Sequence, residues 1–130
     1  MPSVIHIAAA LLLNPQGKAL LVRKRGTTAF MQPGGKIEPN ERPEQALVRE
    51  LNEELGITID SASTRYLGRF SAPAANEPGF EVRCELFEVR IEGDVIPAAE
   101  IEEAVWVDAH QPLILELAPL TRDHVLPLIK

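Results

Sequence analysis

Three glutamates near the middle of the chain, Glu50, Glu53 and Glu54, have the type and spacing to do chemistry. If their segment is helical, positions i, i+3 and i+4 place all three carboxylates on one face, within reach of one another. Like charges so placed repel, and the residues four positions on are Glu54, Ile57 and Thr58, none of them a cation. A solvated acidic face more often carries lysines at those positions, so this cluster is short of counter-charge. Hard divalent cations such as Mg2+ supply it, since they take oxygen ligands, usually one or two carboxylates with waters and substrate phosphates. On charge pattern alone, a solvated helix face is the competing reading. Arg49 stands beside the cluster and could pair with Glu53 a turn later or with Glu41 ahead of the helix; its plain alternative is a surface arginine.

The element that must position these acids is predicted over Pro43 to Leu55. Leu47, Leu51 and Leu55 recur every four residues with Val48 beside them, as on the buried stripe of a helix. At about 100° per residue the glutamates lie at the edge of that stripe, where a cleft can form. Pro43 suits the first helical position and Gly56 a C-terminal cap. Arg42 is then the N-cap, and it lacks the short oxygen-bearing side chain of a good one. Before the helix, "MQPGGK" predicts a tight exposed loop, because Pro33 disfavours helix at Gln32 and two glycines open backbone angles closed to other residues.

The rest of the chain alternates strand patterns with turns. Val4 to Leu13 reads as a buried strand, "NPQGK" as a turn, and "ALLVRKR" as the return strand of a β-hairpin. Arg23, Lys24 and Arg25 end this strand, so one or two of them could meet a substrate phosphate or base, or simply solvent, and strand alternation puts Arg23 and Arg25 on one face. "TRYLGRFSA" and "FEVRCELFEVRI" predict two further strands, "EGDVIPAAEIEE" a loop, "AVWVD" a short strand, and "LAPLTRDHVLPLI" a terminal helix broken late by Pro127. Phe30, Phe80 and Trp106 are read chiefly as packing residues, although either phenylalanine could stack on a base.

Composition narrows the class. At 130 residues and 45% apolar content the chain is expected to be one compact domain spanning 1-130, with helices and strands mixed but no regular βαβ repeat. A formal charge of −6 and the lack of a long Lys/Arg block argue against a polynucleotide partner, whose binding depends on cations neutralising phosphates. A small phosphorylated ligand stays open, because bound metal can outweigh the protein's own negative field. Cys84 is the only cysteine, excluding an intrachain disulfide, and reads as a buried thiol. The apolar N-terminal run is too short for a membrane span, so no membrane partner and a cytoplasmic location are expected. His6, His110 and His124 lack zinc-site spacing and read as structural or surface groups. Association as a homodimer is left open.

One stretch goes further than periodicity. "GKIEPNERPEQALVRELNEELGI" resembles the signature of the Nudix hydrolase family: Gly, five residues, Glu, seven residues, Arg-Glu, an aliphatic residue, any residue, Glu-Glu, any residue, Gly, aliphatic. Gly35, Glu41, Arg49, Glu50, Leu51, Glu53, Glu54, Gly56 and Ile57 fill every fixed position. The resemblance implies an α/β/α sandwich around a mixed β-sheet, with a loop-helix-loop carrying the site. It implies that Glu50, Glu53 and Glu54 bind Mg2+ or Mn2+, that Glu41 and Arg49 brace the loop, and that Gly34 and Gly35 let it turn so that a carbonyl, that of Gly34, faces the metal. It also implies a pyrophosphohydrolase of a small nucleotide-like substrate: a nucleoside triphosphate, or a nucleoside diphosphate joined to another group. The water's proton would go to one of the three helix glutamates or to a later loop, where Glu100, Glu102 and Glu103 are candidates and Glu100 is preferred. A nucleotide-sensing module without turnover is the alternative, and the complete glutamate set speaks against it.

Overall fold

The structure, a computed structural model, describes residues 3–129. Six strands form one mixed sheet: β1 (Ser3–Leu13), β2 (Ala19–Lys24), β3 (Gly34–Lys36), β4 (Arg65–Pro73), β5 (Phe80–Arg90) and β6 (Ile101–Val107), in the order β4-β5-β1-β2-β6, with β3 also paired to β1. The expected hairpin forms, Leu13 opposite Ala19, and its turn is closed by the Asn14 side chain, which accepts the N–H groups of Gln16 and Lys18. The central pairing is β1 with β5, parallel from Ser3 opposite Phe80 to Leu13 opposite Arg90. A parallel pair needs a long crossover, and here it spans β2, β3, the helix and β4.

Both faces of the sheet are covered, which explains why β1 reads as a continuous apolar run. Ala8, Ala10 and Leu12 pack with Leu47, Leu51 and Leu55 of helix α1 (Pro43–Leu55), all three leucines at most 1% exposed. Burying each is worth about 1.5–3 kcal/mol. Ala9, Leu11 and Leu13 point the other way, into a second cluster with Leu120 and Val125 of the terminal helical segment. The layers are therefore helix, mixed sheet and helix, as the family resemblance implies.

Three expectations change in detail. The stretch read as a tight exposed loop is largely neither, since Gln32 and Pro33 are buried and Gly34–Lys36 pair with β1 as β3. The predicted terminal helix begins later than Leu117, which pairs with Phe30 in an extended bridge, and is wound as a π-turn over Thr121–Val125 followed by a 3-10 turn over Leu126–Leu128. The loop read over residues 92–103 ends early, because Ile101 to Glu103 belong to β6 and pair with β2. Cys84 is fully buried, and burial pushes its thiol up to about 12. Phe30 is buried in the second cluster and Trp106 packs against the first, whereas Phe80 is 40% exposed at the start of β5. Among the described residues no helix is long and apolar enough to cross a membrane.

Candidate functional site

Helix α1 is built to hold its acidic edge still. Its leucine stripe is locked into the sheet, Gly56 caps it in the left-handed conformation (φ 69°), and the Gly56 N–H reaches the Asn52 carbonyl at 3.0 Å. The N-cap is as weak as expected on the Arg42 side, but Gln45 compensates: its side-chain oxygen accepts the Arg42 N–H at 2.8 Å.

Arg49 organises the approach to the helix. Its Nε and Nη2 donate to the two oxygens of Glu41, each at 2.9 Å, and Nη2 also reaches the Lys36 carbonyl at 3.1 Å. This fork-to-fork pairing ties the loop to the helix. The Arg49 guanidinium beside Glu41 holds that carboxyl down at about 2. Nη1 of Arg49 lies 2.8 Å from Glu50 Oε1 and 3.6 Å from Glu53 Oε2. Two of the three clustered acids thus do have a cation beside them, which counting four residues forward does not reveal.

Glu54 is the exception. It is 3% exposed, and its one hydrogen-bond donor among the described residues is the Gly34 N–H, 3.2 Å from Oε1. Burial, with the Glu50 charge adding to it, pushes its carboxyl up to about 7. Gly34 and Gly35 are dictated by the same crowding. A Cβ on Gly34, which sits at φ 150°, would come 2.2 Å from the Ala8 carbonyl oxygen; one on Gly35 would lie 2.4 Å from the Glu50 carboxyl carbon. β3 pairs antiparallel with β1, Gly34 opposite Ala9, while Ala10 donates to the Pro33 carbonyl and Ile37 to that of His6. In an antiparallel ladder bonded and unbonded pairs alternate, so Gly34 is an unbonded pair and both its N–H and its C=O face away from β1. Its N–H is the group that meets Glu54.

The donor chemistry, carboxylates with a backbone carbonyl and neither sulfur nor imidazole, fits a hard cation. A cage is not preassembled: among the described residues no three His, Cys, Asp or Glu already converge on one point. Arg49 draws Glu50 and Glu53 to one side while Gly34 draws Glu54 to the other.

The basic strand end is arranged differently from its alternation. Arg23 bonds to Glu103 at 3.1 Å and to the Thr27 carbonyl at 2.8 Å and lies 5.9 Å from the centre of the Phe30 ring; Arg25 is 70% exposed and pairs with Glu102 at 3.4 Å. Neither faces the helix acids. Lys24 does: it lines a recess of about 110 Å3 together with Gly34 and Gly35, and its Nζ is 3.2 Å from Glu100 Oε1. The charges of Lys24 and Glu100 both act on Glu54. The register slips between Arg23, opposite Glu103, and Lys24, opposite Ile101, and such a bulge re-aims the side chains around it. Of the three later acids, Glu102 and Glu103 are held by the arginines in β6, leaving Glu100, whose carbonyl accepts the Arg25 N–H at the strand's entrance, turned toward the site. Lys24 is one of the three cations the sequence offers at this strand end, but alternation singles out the two arginines, and only the bulge reveals which face matters. The apolar side of the recess comes from Ile5, Ile7, Met31 and Val82.

Comparison with known proteins gives the family to which this fold belongs. The model of the NUDIX domain matches residues 5–129. An 8-oxo-dGTP diphosphatase of Haemophilus influenzae is 38% identical over 74 residues, 54% of this chain and 54% of that protein, so the match spans about half of its length. An RNA pyrophosphohydrolase of Pseudomonas putida is 32% identical over 79% of this chain and 76% of its own. The crystal structure of a MutT protein from Methanosarcina mazei superposes with a TM-score of 0.79 at 26% identity, covering 97% of this chain and 92% of the other. The signature residues, the sandwich that presents them and these matches together place the chain in the NUDIX domain family, as a Nudix hydrolase.

Proposed function

We propose that the chain is a metal-dependent pyrophosphohydrolase that cleaves a diphosphate linkage in a nucleoside triphosphate, or in a nucleoside diphosphate joined to another group. The observation that carries this reading is Glu54: a carboxylate 3% exposed, beside a second carboxylate, with a single backbone donor and its pKa raised to about 7. An acid held that way has a strong demand for positive charge. Glu50, Glu53 and Glu54, with the Gly34 carbonyl, would hold Mg2+ or Mn2+. Such a cation neutralises phosphate oxygens and makes a nearby water more acidic.

The remaining work falls to the chain. Water attacks one phosphorus, the bridging P–O bond breaks, and the bridging oxygen leaves with the other phosphoryl group. Glu100, beside Lys24, would accept the water's proton once a phosphate draws Lys24 away from it. Lys24 then offsets charge on the departing group. Arg49 and Glu41 keep the glycine loop against α1, so the acids do not reorganise during turnover. The recess beside Gly34 and Gly35, with Ile5, Ile7, Met31 and Val82 on its apolar side and Gln32 at its wall, would take part of the organic group.

The test is a panel of nucleoside triphosphates including an oxidised one, ADP-ribose, dinucleotides, and an RNA with a 5′-triphosphate, each incubated with Mg2+ and assayed for phosphate or pyrophosphate. Turnover of the small nucleotides, lost in Glu54→Gln, is expected. Binding without hydrolysis across the whole panel would replace the proposal by a nucleotide-sensing module, and preference for the RNA would overturn the small-substrate reading.

A further inference from the structure

Opposite the glycine loop, the same sheet face carries a second and larger cavity of about 670 Å3. Along β1, Ile5 and Ile7 line the recess near the loop, Ala9 is covered by the terminal helical segment, and Leu11 and Leu13 form the floor of this cavity. From Ile7 to Leu11 the strand runs roughly 13 Å at about 3.3 Å per residue, with the covered Ala9 between them, so the two spaces are separate. Leu67 extends the floor, and Leu128 and Ile129 wall it.

Around this apolar floor stand Lys18, Arg65, Arg90 and His110, with Glu88 and Asp108 as the acids. A single carboxylate serves both arginines: Glu88, 19% exposed, lies 3.3 Å from Arg90 Nε and 4.0 Å from Arg65 Nη1. Asp108 accepts the His110 backbone N–H, and Lys18 forms no ion pair among the described residues. In a chain of net charge −6, Lys18, Arg65 and Arg90 gather over one apolar floor, and the arginines carry more donors than Glu88 can accept. The lining is mixed, five aliphatic side chains on one side and charged groups on the other, which suits a ligand with an apolar body and an anionic end, and guanidinium forks suit phosphate.

We propose that this cavity binds a small organic phosphate monoester, its apolar body on Leu11, Leu13 and Leu67 and its phosphate between Arg65, Arg90 and Lys18. The site is independent of the metal helix and uses none of its residues.

The methyl-labelled 130-residue chain, without metal, is titrated with phenyl phosphate and, in parallel, with benzyl alcohol. Saturable shifts of the Leu11, Leu67, Leu128 and Ile129 methyls by phenyl phosphate are expected, with Ile7 and Val82 unmoved. The double variant Arg65→Gln/Arg90→Gln, at residues 75% and 67% exposed in their side chains, keeps the fold and weakens binding by about tenfold or more. Absence of saturable shifts, equal affinity for benzyl alcohol, shifts confined to Ile7 and Val82, or unchanged affinity in the double variant would each overturn the proposal.

Discussion

Two glutamates on the α1 side of the sheet are buried to almost the same degree, Glu54 at 3% exposure and Glu85 at 4%, and their surroundings are opposite. Around Glu85 stand the Tyr66 hydroxyl at 2.7 Å, Arg69 Nε at 2.8 Å and His6 Nε2 at 2.6 Å. Burial works to raise its carboxyl, but the bonds from Tyr66, His6 and Arg69 outweigh it and hold the group below its ordinary value. Glu54 has one amide donor at 3.2 Å and a second carboxylate nearby, and burial raises it to about 7. Burial alone therefore says little about what an acid is for. A buried carboxylate whose donors come from the fold is a structural joint, here tying β4 and β1 to β5; one left short of positive charge is where the proposed cation would sit.

The comparison can be broken most severely at Glu54. Glu54→Gln keeps the volume and removes the charge, so turnover should fall on the order of a hundredfold or more, while the metal-free protein melts no lower than the parent. The next effect belongs to Glu85. Glu85→Gln leaves Arg69 and His6 without their carboxylate and should destabilise by about 1–3 kcal/mol in chemical denaturation, with the activity of the folded fraction unchanged. Gly35→Ala pushes a methyl against the Glu50 carboxylate, a flexible side-chain end that can move aside; a fall in turnover of about tenfold with little change in melting temperature is expected. Arg23→Ala removes a pair that faces away from the acids, and steady-state assays should record less than about a twofold change.

The pH dependence separates the two acids by sign. Glu85 has a folded-state pKa below its unfolded value, so its stabilisation is present above the unfolded pKa of 4.5 and is lost as pH falls through the folded value. Glu54 is raised, so in metal-free protein it lowers stability as pH climbs from 4.5 toward about 7. Urea unfolding at several pH values should show the acid-side loss vanish in Glu85→Gln and the rise-side loss vanish in Glu54→Gln.

How much of this was legible in the sequence follows the range of the interactions. α1, its glycine cap and the β1–β2 hairpin were readable because leucines four apart and an Asn-Pro-Gln-Gly turn act within a few residues. The resemblance supplied the sandwich and the Glu41–Arg49 pairing, whose geometry the structure now gives. Glu85 gave no signal, because its partners come from 16, 19 and 79 residues away. Strand alternation pointed to Arg23 and Arg25, and a bulge between β2 and β6 turned Lys24 to the cleft instead; register slips are set by pairing, which one strand does not encode. The acids at 102 and 103 looked like loop residues because the turn formers before them hid the start of β6.

The central claim is that α1 carries a cation site centred on Glu54, and Mn2+ titration followed by NMR tests it most directly. Broadening should be greatest at the amides of Gly34, Gly35 and residues 50–54, disappear in Glu54→Gln, and persist in Glu85→Gln. Equal Mn2+ affinity in Glu54→Gln, or broadening centred on β5 around Glu85, would contradict the account.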